Sequence, residues 1–242
     1  MIHRRGDTLI FLSGIRPLQF DFIATLLFLI LVLTSLCCSA EIQTETAFTP
    51  EMLLQNAIKD GRLDDVRVLI DNGVNINQPF SQGVTPLHTA VINNQENIVA
   101  VLLQAGAVVD AKDATTQATP LHLAALYGRE GIATLLIQHG ANINAVMKFG
   151  ITPLLVATQF SQPQIIQLLM DKKVDINHAD QEGFTALHFA AQNGDPVIAR
   201  LLLDKGAKLD LRDKTNKATP LAIAIENNHP EVATLLKEHG AE

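Results

Sequence analysis

Along most of this chain apolar residues come in short helical bursts separated by small or polar ones. In the clearest burst Ile132, Leu135 and Leu136 are spaced i, i+3, i+4, the stripe that one buried helix face requires. A shorter burst, Leu121 to Tyr127, precedes it and is entered through Thr119 and Pro120. Threonine suits the N-cap, and proline suits the first helical position, where its missing N–H costs nothing. Ala124 and Ala125 let neighbouring helices approach closely. Gly128 separates the two bursts and Gly140 closes the second; both positions call for a residue that tolerates positive φ. The pattern predicts a helix–turn–helix unit over this stretch.

The unit recurs. TPLH or a near relative begins at Thr85, Thr119, Thr152, Thr185 and Thr219, with gaps of 34, 33, 33 and 34 residues. Gly73, Gly106, Gly140, Gly206 and Gly240 keep the same phase, with Lys173 where one more glycine is due. The turn between helices holds Gly61, Asn94, Gly128, Gly194 and Asn228, with Ser161 the exception. Self-similarity at this period marks units too small to bury their own apolar faces, so that stacking creates the core. Six units are expected, near residues 51–83, 84–117, 118–150, 151–183, 184–217 and 218–242. The first lacks TPLH, with Gln55 in place of His and Asp65 where later units have Ile98, Ile132, Ile165 and Ile198. Such polarity suits the capping end of a stack. The fourth is the least regular, with Leu155 for His, Lys173 for Gly and Pro163 in its interhelical turn. Loops carrying Asp110–Asp113 and Asp210–Asp213 each hold one extra residue, which accounts for the 34-residue gaps.

The period, the TPLH start and the LL-x-x-G-A-x-x-N ending resemble the ankyrin repeat over about Thr49 to Glu242. The resemblance implies an all-α solenoid of about six helix–turn–helix units with projecting β-turn fingers. It implies that His88, His122 and His188 bond to the neighbouring Thr and to loop backbone. It also implies that a partner protein docks in the concave groove formed by the fingers and the first helices. On this chain the groove positions are Val84, Ile92 and Asn93, then Ala118, Leu126 and Tyr127, then Phe149, Ile151, Gln159 and Phe160, then Phe184, Gln192 and Asn193. Tyr127, Phe149, Phe160 and Phe184 are expected to cluster at its middle, where aromatic anchors would dominate an interface.

Composition narrows the chemistry. The 242 residues carry a net charge of −7, and without residues 1–40 the body carries −8. No basic run or interleaved aromatic platform offers itself to a phosphate backbone, so nucleic acid is not expected. No G-x-S-x-G elbow, glycine-rich phosphate loop or H-E-x-x-H appears, and neither catalysis nor a cofactor is expected. Equivalent histidines in a stack lie about 10 Å apart, the distance between packed helices, too far to share a metal through ~2.0–2.1 Å bonds. His139, His178, His229 and His239 are expected at the surface.

The N-terminus reads differently. Arg4, Arg5 and Arg16 precede an uncharged apolar run, Phe22 to Leu36, followed by Cys37-Cys38-Ser39-Ala40 and a polar linker over 41–50. Basic start, apolar run and small-residue exit fit a signal peptide, and an uncleaved signal anchor, an apolar helix ahead of the stack, fits nearly as well. Membrane contact is expected only through residues 22–38, if they are retained. Both alternatives place the repeats on the far side of the membrane, in the periplasm or anchored facing the periplasm or the exterior, as the positive flank before the run implies. The sequence thus leads to a monomeric, non-enzymatic scaffold that binds another protein outside the cytoplasm. A secreted effector acting on a host protein and an auxiliary subunit of an envelope enzyme are the alternatives.

Overall fold

The computed structural model describes residues 49–242. The apolar segment 22–36, the cysteines and most of the linker lie outside the described residues. Among those described there are twelve α-helices and no strand. They pair as α1 (Pro50–Lys59) with α2 (Leu63–Asp71), α3 (Pro86–Ile92) with α4 (Glu96–Gln104), and α5 (Pro120–Leu126) with α6 (Glu130–Gln138). The second half repeats the scheme with α7 (Pro153–Gln159) and α8 (Pro163–Asp171), α9 (Ala186–Asn193) and α10 (Pro196–Asp204), and α11 (Pro220–Glu226) and α12 (Pro230–Glu238).

Each first helix packs on the first helix of the next pair, giving one layer, while the second helices form a looser outer layer. Alanines explain the difference: Ala90, Ala124, Ala157, Ala190 and Ala224 are fully buried in the inner layer, and a methyl group sets a short interhelical distance. Ile98, Ile132, Ile165 and Ile198 at the start of the outer helices are all buried, each worth about 1.5–3 kcal/mol of hydrophobic stabilisation. Asp65, at the same register, is exposed and pairs with Arg62, as an end unit requires.

Two local expectations change. Thr49 and Pro50, placed by sequence in the linker, are the N-cap and first residue of α1, and the Thr49 hydroxyl accepts the Met52 N–H at 3.2 Å. The first unit therefore starts its helix a turn early, using the Thr-Pro device of units two, three, four and six. Pro163 is no irregularity either, since it opens α8 as Pro196 and Pro230 open α10 and α12.

Adjacent units are tied at both edges of the fingers. On one side Asn77 spans to the next unit, its Nδ2 donating to the Gly106 carbonyl at 3.1 Å and its Oδ1 accepting the Val108 N–H at 2.8 Å. Asn177 repeats this with Gly206 and Lys208. At the fingertips one backbone bond joins each finger to the next. The Ala114 N–H donates to the Gln82 carbonyl, Lys148 to Thr116, Gln181 to Phe149 and Lys214 to Glu182, at 2.7–2.9 Å.

Candidate protein-binding groove

Three buried histidines hold the floor of the groove. In each, Nε2 reaches a carbonyl of the next finger: His88 to Ala118 at 3.1 Å, His122 to Ile151 at 3.1 Å and His188 to Ala218 at 3.3 Å. A carbonyl can only accept, so Nε2 carries the proton. Nδ1 is then an acceptor, and it takes the N–H and the hydroxyl of Thr85, Thr119 or Thr185. The rings are thus neutral and fully bonded. Burial keeps them so: it lowers the pKa of all three, bringing His122 to about 4. The family-implied role of these histidines is met in all three units.

The fourth unit lacks the tie. Leu155 is buried where the imidazole would be, and the Phe184 carbonyl, the counterpart of Ala118, Ile151 and Ala218, accepts only from the Asp180 N–H. Asp180 differs from its counterparts too. Asp113 and Asp213 satisfy both carboxylate oxygens inside their longer fingers, Oδ2 accepting the Ala118 and Ala218 N–H groups. In the shorter finger Asp180 Oδ1 accepts from Glu182 and Phe184, while Oδ2 is buried without a partner. Burial pushes the Asp180 carboxyl up, against the N–H groups of Phe184 and Glu182 that favour its charge. The outer helices α8 and α10 also make the sparsest contact of any consecutive pair.

The groove positions do not all face outward. Val84, Ile92, Tyr127, Phe149, Phe160, Phe184 and Gln192 are half-buried, so part of each side chain stays at the surface. Ile151 is not among them. It is 1% exposed, because the residue before the N-cap threonine is clamped where its carbonyl receives His122. Ala118 is buried for the same reason, and Leu126 packs into the inner layer. Phe184 keeps an edge outward, yet its ring centroid lies 5.5 Å from those of His188 and Phe189, so it also supports the stack. Phe149 occupies a fingertip with φ 64°, a strained conformation for an aromatic residue.

Ile92, Gln159 and Gln192 lie at or near the C-terminal ends of the first helices of units two, four and five, with Tyr127 and Phe160 at the C-caps of those of units three and four. Asn193 shows how closely units four and five meet there, donating to both the Thr158 and Gln159 carbonyls at 3.1 and 2.9 Å. Two features escaped sequence reasoning. The Arg129 guanidinium sits 6.0 Å from the Tyr127 ring centroid, within cation–π range. His178 and His229, expected at the surface, are half-buried and bond across units to the Gly150 and Gln192 carbonyls at 2.8 and 3.0 Å. The signal was there for His229: it lies over Gly194, where an added Cβ would meet its ring at 2.4 Å. Among the described residues no cluster of metal-ligating side chains occurs and no helix is long and apolar enough to cross a membrane.

Stacked helical hairpins with finger loops and a buried TPLH histidine define a repeat scaffold suited to protein binding. The family model for ankyrin repeats matches residues 24–113, 54–147, 109–180 and 154–242, and the chain belongs to that family. It is similar to the ankyrin repeat domain of Bcl-3, a member of the IkappaB protein family, with a TM-score of 0.73, 25% identity, and coverage of 83% of this chain and 89% of that one. It is also similar to a chain in the complex of the predatory endopeptidase Bd0816 from Bdellovibrio bacteriovorus with the immunity protein Bd3460. There the TM-score is 0.70 at 29% identity, covering 77% of this chain and 97% of that one. In sequence it is 46% identical over 55 residues to the palmitoyltransferase Hip14 of Drosophila melanogaster, but this spans 23% of this chain and only 9% of Hip14. Such a match reaches the ankyrin region and carries no acyl-transfer chemistry with it.

Proposed function

We propose that this protein is a non-enzymatic scaffold, exported from the cytoplasm, that captures a partner protein on the inner face of its ankyrin stack. The observation that carries the reading is the pair of half-buried aromatic residues at equivalent inner positions, Tyr127 and Phe160, at the ends of first helices held in the buried inner layer. A surface so preorganised binds with little change of shape. Export rests on the basic residues before Phe22–Leu36 and on Glu41 and Glu45 after it.

A second reading, an auxiliary subunit of an envelope enzyme, draws on the Bdellovibrio complex, in which a chain of this fold belongs to an assembly of endopeptidase and immunity protein. Both readings use the same face. A photoreactive residue placed at Phe160 of the full chain should cross-link a partner that the same residue at Val197 does not, because Val197 is an exposed outer-helix residue. Equal cross-linking at both sites would reject the groove. Fractionation of the producing cells tests export separately: recovery in the cytosol would reject it.

A further inference from the structure

The outer layer of the stack carries a furrow between α10 and α12. A cavity of 420 Å³ opens there over Pro196, Pro230 and Leu235, with Arg200 on the α10 side and Glu231 and Glu238 on the α12 side. All three charged residues are exposed. None of their side chains makes an ion pair or hydrogen bond with another described residue. Other exposed charges are matched within the chain, as Arg62 is by Asp60 and Asp65, and as Lys205 is by Asp171 of the neighbouring unit at 3.2 Å. Val197 lies one turn before Arg200 on the same side of α10 and is 68% exposed, the most of any large hydrophobic side chain among the described residues.

Stacking does not require these charges, because the same registers read differently at every other junction. The counterparts of Arg200 with Glu231 and Glu238 are Arg67 with Asn97 and Gln104, Ala100 with Gly131 and Gln138, Thr134 with Gln164 and Asp171, and Gln167 with Val197 and Asp204. A cation facing two carboxylates is particular to units five and six. The spacing of the carboxylates selects the shape of an occupant. Glu231 and Glu238 are seven residues apart on one helix, about 10.5 Å at the helical rise of ~1.5 Å per residue. Positions i and i+7 of a second helix have that same interval. One face of an extended strand repeats every ~6.6 Å and falls out of step. Helices pack ridge into groove about 8–10 Å apart, so a furrow between two of them can seat a third.

We propose that the furrow between α10 and α12 docks a basic amphipathic helix of a second partner protein. Lysine or arginine at i and i+7 of that helix meets Glu231 and Glu238, an apolar residue between them covers Leu235 and Pro230, and a carboxylate on its flank meets Arg200. This surface is separate from the inner face, so the scaffold holds two proteins at once. Exposed charges of this kind steer approach and fix register more than they add affinity, and salt screens them.

The test titrates the full chain with two synthetic helical peptides at low and high salt. One carries leucines at its centre, lysines seven residues apart and a glutamate on the flank; its twin has glutamates in place of the two lysines. The lysine peptide should bind at least tenfold more tightly than its twin, near 1.4 kcal/mol, and should weaken as salt rises. The preference should vanish when Glu231→Gln and Glu238→Gln are combined, and reverse when Glu231→Lys and Glu238→Lys are. Phe160→Ala should leave it unchanged, which keeps this surface distinct from the inner one. Equal affinity for the two peptides, or binding of neither, would overturn the proposal without needing any variant to fold. Binding of the lysine peptide that survives the glutamine pair but is lost in Phe160→Ala would also overturn it, and would place the basic helix on the inner face.

Discussion

The Nε2–H of His122 donates to the carbonyl of Ile151, 3.1 Å away in the next unit. One imidazole thereby caps its own helix through Thr119 and holds the neighbouring finger in place. Truncating it to alanine would leave a cavity and strip the Ile151 carbonyl of a donor. His122→Ala should cost roughly 2–4 kcal/mol, read by urea unfolding. His122→Leu should cost clearly less, because Leu155 already fills the same site in the fourth unit. Equal losses would mean that the hydrogen bond, not the volume, dominates.

These neutral histidines also make the stack acid-sensitive. Their folded pKa values lie below the ordinary 6.5, that of His122 at about 4. The unfolded chain therefore binds more protons between those limits, and stability rises with pH there. The contribution is complete above about pH 6.5 and is lost as pH falls toward 4. The carboxyl of Asp180 acts in the opposite sense, since its raised pKa makes its ionisation unfavourable in the fold. Unfolding midpoints measured from pH 7 to 4 should decline, and His122→Leu should flatten the decline. An unchanged slope would show that His122 is not the titrating group.

Lys173 stands where the other units use glycine, and its φ is 60°. The residue is exposed, so its replacement sacrifices little packing. Lys173→Gly should stabilise the protein by up to about 1 kcal/mol through release of the left-handed strain, measured as a rise in melting temperature. A fall would mean that the lysine side chain contributes more than the strain removes.

The outer-helix side of the junction between units four and five should open more readily than the junctions tied by a histidine, while Asn193 holds its inner edge. It lacks the histidine tie, leaves Asp180 Oδ2 unpartnered and has the sparsest outer-helix contact. Native-state hydrogen exchange offers a matched comparison, because the amides of Ala118, Phe184 and Ala218 are equivalent and each donates to the finger aspartate. The Phe184 amide should exchange fastest. Protection equal to that of the other two would show that the junction is as firm as the rest.

Much of this was legible in the residues, for a physical reason. A unit that cannot bury its own face must repeat its rules, and repetition exposes them: the Thr-Pro caps, the buried isoleucines and the positive-φ turns are where the spacing put them. Even Ser161, the wrong residue type, takes φ 51° because its neighbours dictate the turn. What spacing could not convey was direction at the position before each threonine. Ile151 and Phe184 share that register, yet one is sealed beneath a histidine bond and the other, with Leu155 before it, keeps an outer edge. Burial there depends on a residue a whole unit away and on the side chain itself, since Ala218 receives His188 and is still half-buried. The same holds for His178 and His229, whose partners Gly150 and Gln192 lie 28 and 37 residues upstream.

The most direct test of the inner face is the affinity of the cross-linked partner for the full chain and for its Phe160→Ala and Val197→Ala variants, with melting temperatures recorded alongside. Binding should weaken about tenfold or more, at least 1.4 kcal/mol, in Phe160→Ala alone, while both variants melt close to the parent. Undiminished binding by Phe160→Ala, or a loss in Val197→Ala instead, would contradict the assignment of the groove as the binding face.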